Sequence, residues 1–162
     1  MPRSGPRASG PHPDARAGSR WQTGAMAARV QVPAELLPHL RRARDFTDRD
    51  YAEPLDLGAL ASNAGVSKFH FLRCFAAVYG RTPGVYLAER RIERAQDLLR
   101  ATNLTVTEIC HLVGYTSLGS FSAKFRQLVG TSPSVYQAKF AECGAPRIPG
   151  CYVFMHGLSD RS

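Results

Sequence analysis

The fold is decided by a stretch that the chain contains twice, as SKFHFLRCFAAVYGRTPGVY at residues 67–86 and as SLGSFSAKFRQLVGTSPSVY at residues 117–136. At a constant offset of 50 residues, eight positions of this 20-residue window carry the same or a closely similar residue. The eight pairs are Ser67 and Ser117, Phe71 and Phe121, Phe75 and Phe125, Gly80 and Gly130, Thr82 and Ser132, Pro83 and Pro133, Val85 and Val135, and Tyr86 and Tyr136. Upstream the register slips by one residue, so that Gly65 pairs with Gly114. A shared register of this extent indicates an internal repeat of one structural unit.

Each copy has the residues of a helix, a tight turn and a second helix. In the first copy, LGALASNAG at residues 57–65 predicts a short helix that ends before Gly65, where a left-handed turn favours glycine. Ser67 is placed to cap the next helix, because its side chain can accept from the first free amides. Phe71 and Phe75 lie four residues apart, on one face, and are expected to pack back onto the first helix. The second copy repeats these features, so the sequence predicts two helix-turn-helix units.

The segments around the repeats have helical spacing as well. No segment of the body alternates with a period of two, so the sequence predicts an all-α fold of seven helices. The first helix is expected between Pro33 and Pro54, and the others at residues 57–63, 67–78, 83–99, 103–113, 117–128 and 133–142. The helix at 83–99 would be about 26 Å long at roughly 1.5 Å per residue. With a helix width at either end, it approaches the ~34 Å between successive major grooves of DNA.

These elements predict a division of the chain into five parts. The parts are a disordered arm over residues 1–30, a first helix-turn-helix module over 31–81, a linker helix over 82–101, a second module over 102–143 and a C-terminal tail over 144–162. The tail is expected to form at most one short extended piece. The arm is rich in Pro, Gly, Ser, Arg and Ala without apolar periodicity, which is typical of disorder. Three interpretations of the arm are left open: translation starts near Met26, the arm is a tail without a function, or the arginines of the arm contact DNA phosphate.

The charge of the chain is high and unevenly placed. Lysines and arginines outnumber acids 21 to 13, for a formal charge of +8. Residues 68–139 hold ten basic and four acidic residues, a net of +6, whereas residues 34–67 have a net of −2. This distribution favours nucleic acid as the partner. Neither an apolar stretch of the roughly 18 residues that a membrane span needs nor a secretory signal is found in the sequence, so a cytoplasmic location is expected.

The cysteines and the polar motifs give no indication of an enzyme. Cys74 and Cys110 fall within helical patterns, and Cys143, Cys151 and His156 are irregularly spaced without an evident fourth zinc ligand. Unpaired thiols are therefore expected, with no metal. A glycine-rich phosphate loop, a nucleophile elbow and a carboxylate pair on a common helix face are all missing from the sequence. We accordingly expect neither catalysis nor a cofactor.

The sequence resembles the DNA-binding domain of AraC/XylS-type transcriptional regulators. The resemblance covers residues 36–138 and rests on three strings, LGALASNAGVSKFHFLRCF, RRIERAQDLL and VGYTSLGSFSAKFRQLVGTSPSVY. It implies seven helices, two helix-turn-helix modules joined by one long helix, and two recognition helices in successive major grooves on one face of the duplex. Regulators of this family commonly pair the domain with a separate effector or dimerisation domain, for which the flanking segments leave no room. A stand-alone regulator that binds DNA as a monomer is therefore expected, with RNA polymerase as a further partner.

Helical geometry selects the residues of the first recognition helix that face DNA. Phe71, Cys74, Phe75 and Val78 are expected to point inward, and Lys68, Phe69, Leu72 and Arg73 outward. The planar guanidinium of Arg73 is suited to bidentate contact with guanine. Phe69 and Leu72 are suited to thymine methyl groups, and Lys68 to base or phosphate. His70 lies between the faces, where a phosphate contact and no role at all both remain open.

The second recognition helix presents a different face. Its candidate DNA-binding residues are Ser117, Leu118, Gly119, Ser122, Lys124 and Arg126. Regulators of the family commonly have larger polar side chains at the positions of Gly119 and Ala123, neither of which can hydrogen-bond a base edge here. Phosphate contacts by Lys124 and Arg126, together with shape-dependent approach, are therefore expected from this helix. A pairing of Lys124 with an acid nearby is the alternative.

Together these features predict a sequence-specific DNA-binding transcriptional regulator. The competing interpretation is a helical adaptor that binds another protein through the apolar patch of Phe69 and Leu72, without DNA sequence specificity.

Overall fold

The computed structural model describes residues 30–142 and 147–156, and this part of the chain is helical. A 3-10 turn at Ala34–Leu36 leads into the first of eight α-helices. The helices are α1 (Leu37–Arg49), α2 (Leu57–Asn63), α3 (Lys68–Tyr79), α4 (Pro83–Ala101), α5 (Val106–Leu112), α6 (Leu118–Val129), α7 (Pro133–Ala141) and α8 (Gly150–His156). The only β pairing in the described residues is an isolated bridge between Thr102 and Ile148. The predicted all-α fold with two helix-turn-helix units and a long joining helix is confirmed.

Local sequence signals start and stop the helices of both units. The Asp56 side chain accepts from the amides of Gly58 and Ala59 at the start of α2, and Ser67 accepts from the His70 amide at 3.2 Å at the start of α3. Gly80, with φ of 73°, ends α3, as Gly130, with φ of 85°, ends α6. These are the left-handed positions that favour glycine after a helix.

The second unit begins with a reciprocal cap. The Thr105 hydroxyl accepts from the Glu108 amide at 3.2 Å, and the Glu108 carboxylate accepts from both the Thr105 amide and the Thr105 hydroxyl at 2.7 Å. These donors hold the pKa of Glu108 below its ordinary value. The box starts α5 at Val106, so residues 103–105 are not helical, although the sequence indicated a helix from Asn103.

The described residues bury two separate hydrophobic cores. The first is enclosed by the 3-10 turn and α1–α3 and consists of Leu36, Leu40, Ala43, Ala61, Phe71, Cys74 and Phe75. The second is enclosed by α4–α8 and consists of Ile92, Ala95, Leu98, Leu99, Leu104, Ile109, Cys110, Val113, Phe121, Phe125 and Val153. The four phenylalanines of the repeat are fully buried, two in each core. Each helix-turn-helix unit therefore has its own core, and α4 contributes a full apolar stripe to the second.

Two predictions about the chain outside these cores are wrong. Val78 was expected to point inward, but its side chain is 40% exposed, and in the last turn of α3 it is Tyr79 that packs against the first core. The tail was expected to be extended at most, yet only Ile148 pairs as a bridge, and residues 150–156 form α8. Val153 of α8 is 5% exposed and joins the second core, so tertiary packing stabilises this helix. The predicted disordered arm lies outside the described residues, except for Val30.

A polar network fastens α1 to the start of the linker helix α4. The Tyr86 hydroxyl donates to Asp48 at 2.8 Å, and Arg90 and Arg44 lie 3.5 and 3.8 Å from the same carboxylate. Burial and the hydrogen bond to Asp48 raise the pKa of Tyr86 to about 12. Because the neutral phenol is favoured in the folded state, its contribution to stability is complete below the unfolded pKa of about 10 and is lost as the pH rises through about 12.

We expect Tyr86→Phe to lower the free energy of unfolding at pH 8 by about 1–2 kcal/mol, since Asp48 loses a donor. The difference between the two proteins narrows between pH 10 and 12, because Tyr86 ionises in the unfolded chain from about pH 10 but beside Asp48 in the folded protein only near pH 12. Urea denaturation at stepped pH measures both effects. Tyr79→Phe is the matched control, because the Tyr79 hydroxyl has no hydrogen bond within the described residues. A constant difference across the alkaline range would contradict the prediction.

No helix in the described part of the chain combines the length and the apolar character that crossing a bilayer requires.

Candidate nucleic-acid interface

The inner face of α3 is held by the core, and its outer face presents three large side chains to solvent. Phe71, Cys74 and Phe75 are fully buried, which fixes the rotation of the helix. On the opposite side Lys68 and Arg73 are exposed, and Phe69 is 79% exposed. The ring of Phe69 is therefore accessible to an outside partner. Leu72 was expected to be exposed, but it is half-buried at the edge of this face.

His70 lies at the boundary of the same face, as its position in the helix indicates. It is half-buried, and its Nε2 lies 3.4 Å from the Cys74 Sγ on the core side. Burial raises the pKa of the Cys74 thiol, which favours the neutral form. With Nε2 directed at the thiol, Nδ1 is the ring nitrogen of His70 that remains for an outside contact.

The outer face of α6 is smoother than that of α3. Leu118 is 43% exposed, Gly119, Ala123 and Arg126 are exposed, and Ser122 is half-buried. A Cβ added to Gly119 would meet only the Ser117 Oγ, at an ordinary 3.7 Å, so packing does not require a glycine there. The small residues therefore leave the helix backbone open to close approach by a ligand.

Two of the residues predicted on α6 have local hydrogen bonds. Ser117 is the N-cap, and its side chain accepts from the Ser120 amide at 3.4 Å. The half-buried Lys124 donates to the Gln127 side chain at 2.7 Å rather than to an acid. Ser120 beside them is also exposed, although it was not among the predicted DNA-binding residues.

The basic residues divide into paired and unpaired sets. On and beside the linker helix, Arg81 pairs with Glu89, Arg90 with Asp48 and Glu93, and Arg100 with Asp97. In the described residues, five cations have neither an ion pair nor a hydrogen bond: Arg41, Arg42, Lys68, Arg73 and Arg126. Three of these five lie on α3 and α6 and the other two on α1, so the recognition helices carry most of the positive charge that is available to an outside anion.

Arg91 has a role that no pattern in the sequence indicated. Its half-buried guanidinium donates to four backbone carbonyls. The acceptors are Tyr51 at 2.7 Å, Glu53 at 3.0 Å and Ala52 at 3.3 Å, all between α1 and α2, and Gly114 at 2.9 Å, in the turn between α5 and α6. Burial lowers the pKa of Arg91 from its ordinary value. We call this contact of Arg91 with residues 51–53 and Gly114 the Arg91 joint.

Close packing of the backbone completes the Arg91 joint. Gly114 has φ of 83°, and a Cβ on it would lie 2.3 Å from the carbonyl oxygen of Ala52. Arg91 also lies over the Tyr115 ring at 5.5 Å, and Arg94 over the Tyr51 ring at 5.7 Å. The repeat indicated that Gly114 ends a helix, but no signal in the sequence indicated what it touches.

None of the cysteines in the described residues forms a disulfide. Cys74 and Cys110 are buried and Cys151 is exposed, all as free thiols, whereas Cys143 and the His156 side chain lie outside the described residues. Within residues 30–142 and 147–156, no three His, Cys, Asp or Glu side chains come together as a metal site would require.

Comparison with known proteins shows that this chain is similar to transcriptional regulators. Residues 60–139 match a family model described as a helix-turn-helix domain. The regulatory protein SoxS of Salmonella typhimurium is 32% identical over 93 residues, which are 57% of this chain and 87% of SoxS. Other curated relatives are longer, and the chain spans 28% to 62% of their length.

Two solved structures have the same arrangement of helices. One is the DNA-binding domain of AdpA in complex with a target DNA, with a TM-score of 0.60 and 28% identity, covering 65% of this chain and 95% of that one. The other is a transcriptional regulator with an AraC-type DNA-binding domain from Chromobacterium violaceum, with a TM-score of 0.58 and 29% identity, covering 69% of this chain and 100% of that one.

Proposed function

Because the chain belongs to the AraC/XylS family of helix-turn-helix proteins, we propose that it is a sequence-specific DNA-binding transcriptional regulator. Two recognition helices, α3 and α6, enter successive major grooves, and α4 holds them apart. At 19 residues α4 is roughly 28 Å long, which is comparable to the ~34 Å between such grooves.

The observation that carries the proposal is the division of the cations. On the linker, Arg90 and Arg100 pair with acids and Arg91 donates to backbone carbonyls, while Lys68, Arg73 and Arg126 on the two recognition helices have neither an ion pair nor a hydrogen bond. When unpaired cations bind DNA phosphates, counterions that were condensed on the DNA are released, and this release drives association. The likeness to a domain solved on its target DNA supports the same interface.

The two recognition helices have unequal roles in this proposal. Arg73 reads guanine, Phe69 and Leu72 contact thymine methyl groups, and Lys68 and His70 contact phosphate or base edges at the start of α3. On α6, Lys124 and Arg126 contact phosphate, and the small face of Leu118, Gly119 and Ser122 follows the shape of the groove. Ser117 contributes through the cap that orders the first turn of α6. The first half-site is therefore specified base by base, and the second by shape.

We expect Arg73→Ala to weaken binding to the selected DNA site by about 1–3 kcal/mol, roughly 5- to 150-fold, and to remove the preference at one base pair. Duplexes enriched from a random pool by the unmodified protein define the site, and anisotropy titrations at fixed salt measure each affinity. Arg100→Ala is the control, because Arg100 is equally basic but pairs with Asp97 on the linker. Equal losses for the two variants, or an unchanged base preference, would contradict the role of Arg73.

The second candidate function is a helical adaptor, which the 79% exposure of Phe69 favours. An adaptor would bind a protein through Phe69 and Leu72 and would be indifferent to duplex DNA even at low salt. A DNA affinity that falls steeply with salt, together with an enriched sequence, supports regulation over the adaptor. Absence of DNA binding at low salt would support the adaptor.

The proposal extends to assembly and partners. For the chain we propose the division expected from the sequence, into arm, first module, linker, second module and tail. A single chain carries both recognition helices, so one copy occupies one asymmetric site in the cytoplasm, and RNA polymerase is its protein partner. Sedimentation of the protein with a duplex of known mass tests the stoichiometry, for which two chains per duplex would exclude the monomer.

A further inference from the structure

Two attachments connect the helix-turn-helix units. The first is α4, on which both groups of helices pack. The second is the Arg91 joint, where the loop between α1 and α2 touches the turn between α5 and α6. Apart from contacts with α4, the major helix packing in the described residues stays within α1–α3 or within α5–α7. A single helix fixes the separation of two bodies that pack on it but still allows them to rock about it, so a second attachment is needed to fix their angle.

The chemistry of Arg91 suits it to this task. Its planar guanidinium has five N–H donors in a rigid fork, and it uses Nε, Nη1 and Nη2 on four carbonyls of two different segments. Three of these carbonyls lie in the first unit and one in the second, at Gly114. Gly114 is followed within four residues by the first turn of α6, so the joint acts directly on the placement of that helix.

We propose that the Arg91 joint sets the angle between the two recognition helices, and that Arg91 thereby determines which spacing of DNA half-sites the protein accepts. The part of this inference that concerns half-site spacing rests on the proposed DNA-binding function, whereas the part that concerns the angle between the helices does not. Inserting one base pair between half-sites turns one relative to the other by about 34–36° and moves it by about 3.4 Å. A rigid pair of helices accepts one spacing, whereas a pair that rocks about α4 tolerates several.

The first test uses no DNA. Spin labels are placed at Ala77→Cys and Gln127→Cys, exposed positions related by the 50-residue repeat, with Cys143 and Cys151 changed to serine. Pulsed electron resonance then measures the distribution of distances between the labels. We expect a narrow distribution for the otherwise unmodified protein and one at least about twice as wide for Arg91→Gln. Arg91→Lys, which keeps the charge but loses the fork, gives an intermediate width. Arg100→Gln, on the same helix, gives no change.

The second test measures affinity for the selected site and for versions with one base pair inserted or deleted between the half-sites. The unmodified protein is expected to lose at least about tenfold in affinity on either change, and Arg91→Gln less than about threefold. Should Arg91→Gln fail to fold, Arg91→Lys is used, for which the expected loss lies between these values. The inference is overturned if a folded Arg91 variant has the same width of the distance distribution as the unmodified protein. It is also overturned if the variant loses as much affinity as the unmodified protein when the half-site spacing is changed. If the random pool gives no enriched site, the proposed function fails, and the distance distribution alone decides whether Arg91 sets the angle.

Discussion

Gly114→Ala is expected to lower the free energy of unfolding by about 3–5 kcal/mol, close to the largest effects that single substitutions produce. The left-handed backbone, with φ of 83°, costs a residue with a Cβ about 1–2 kcal/mol. The larger part comes from contact, because the new Cβ would lie 2.3 Å from the oxygen and 2.8 Å from the carbonyl carbon of Ala52. These are backbone atoms, so relief requires movement of the whole loop that Arg91 holds, at a further cost in charged hydrogen bonds.

The repeat supplies a matched control for this substitution. Gly65 occupies the equivalent turn of the first unit with φ of 65°, and a Cβ there would have nothing within 4 Å. The free energy of unfolding lost in Gly65→Ala therefore comes from the left-handed backbone alone, and is about 1–2 kcal/mol. Urea denaturation of both variants separates the two contributions, and the excess for Gly114 measures the contact with Ala52. Equal losses for the two glycines would show that the loop moves at little cost in free energy and that the Arg91 joint is not rigid.

Much of the fold follows from short-range signals that are readable in the sequence. The predicted bounds of α2 agree with the structure, and those of α3 and α6 differ by one residue at each end, because Ser67, Ser117, Gly80 and Gly130 cap these helices locally. The helix α8 is different, since its segment contains Gly150 and follows Pro149, both poor predictors of a helix. Its stability comes from docking on Leu104 and burying Val153, which depends on residues far away in the chain.

The candidate site also has some features that local sequence signals predict and others that depend on residues far away in the chain. Helical periodicity separated the buried Phe71 and Phe75 from the exposed Phe69 and Arg73, because the faces of a single helix are a local property. The Arg91 joint was not predictable by the same means. Its acceptors are backbone carbonyls 23 to 40 residues away, and a carbonyl leaves no trace in the sequence. Arg91 was therefore indistinguishable from its neighbour Arg90, which pairs with acids.

Truncating the buried aromatics of the two cores is the other change with a large expected effect. Phe75 and Phe125 occupy equivalent positions of the repeat, and both are fully buried. We expect Phe75→Ala and Phe125→Ala each to lower the free energy of unfolding by about 3–5 kcal/mol, measured by urea denaturation. Phe69→Ala is the control, because its ring is 79% exposed and its loss should change stability by less than about 0.5 kcal/mol.

Although the two losses are similar in size, they should spread differently through the molecule. Phe125 shares its core with Ile92, Ala95, Leu98 and Leu99 of the linker helix, whereas the core around Phe75 includes none of these four. Hydrogen exchange is therefore expected to show that Phe75→Ala loosens α2 and α3 and leaves the linker from residue 92 onward protected, while Phe125→Ala exposes that part of the linker together with α5 and α6. A linker that loses protection equally in both variants would mean that the two cores unfold as one cooperative unit. The first recognition helix would then depend on the second core as much as on its own.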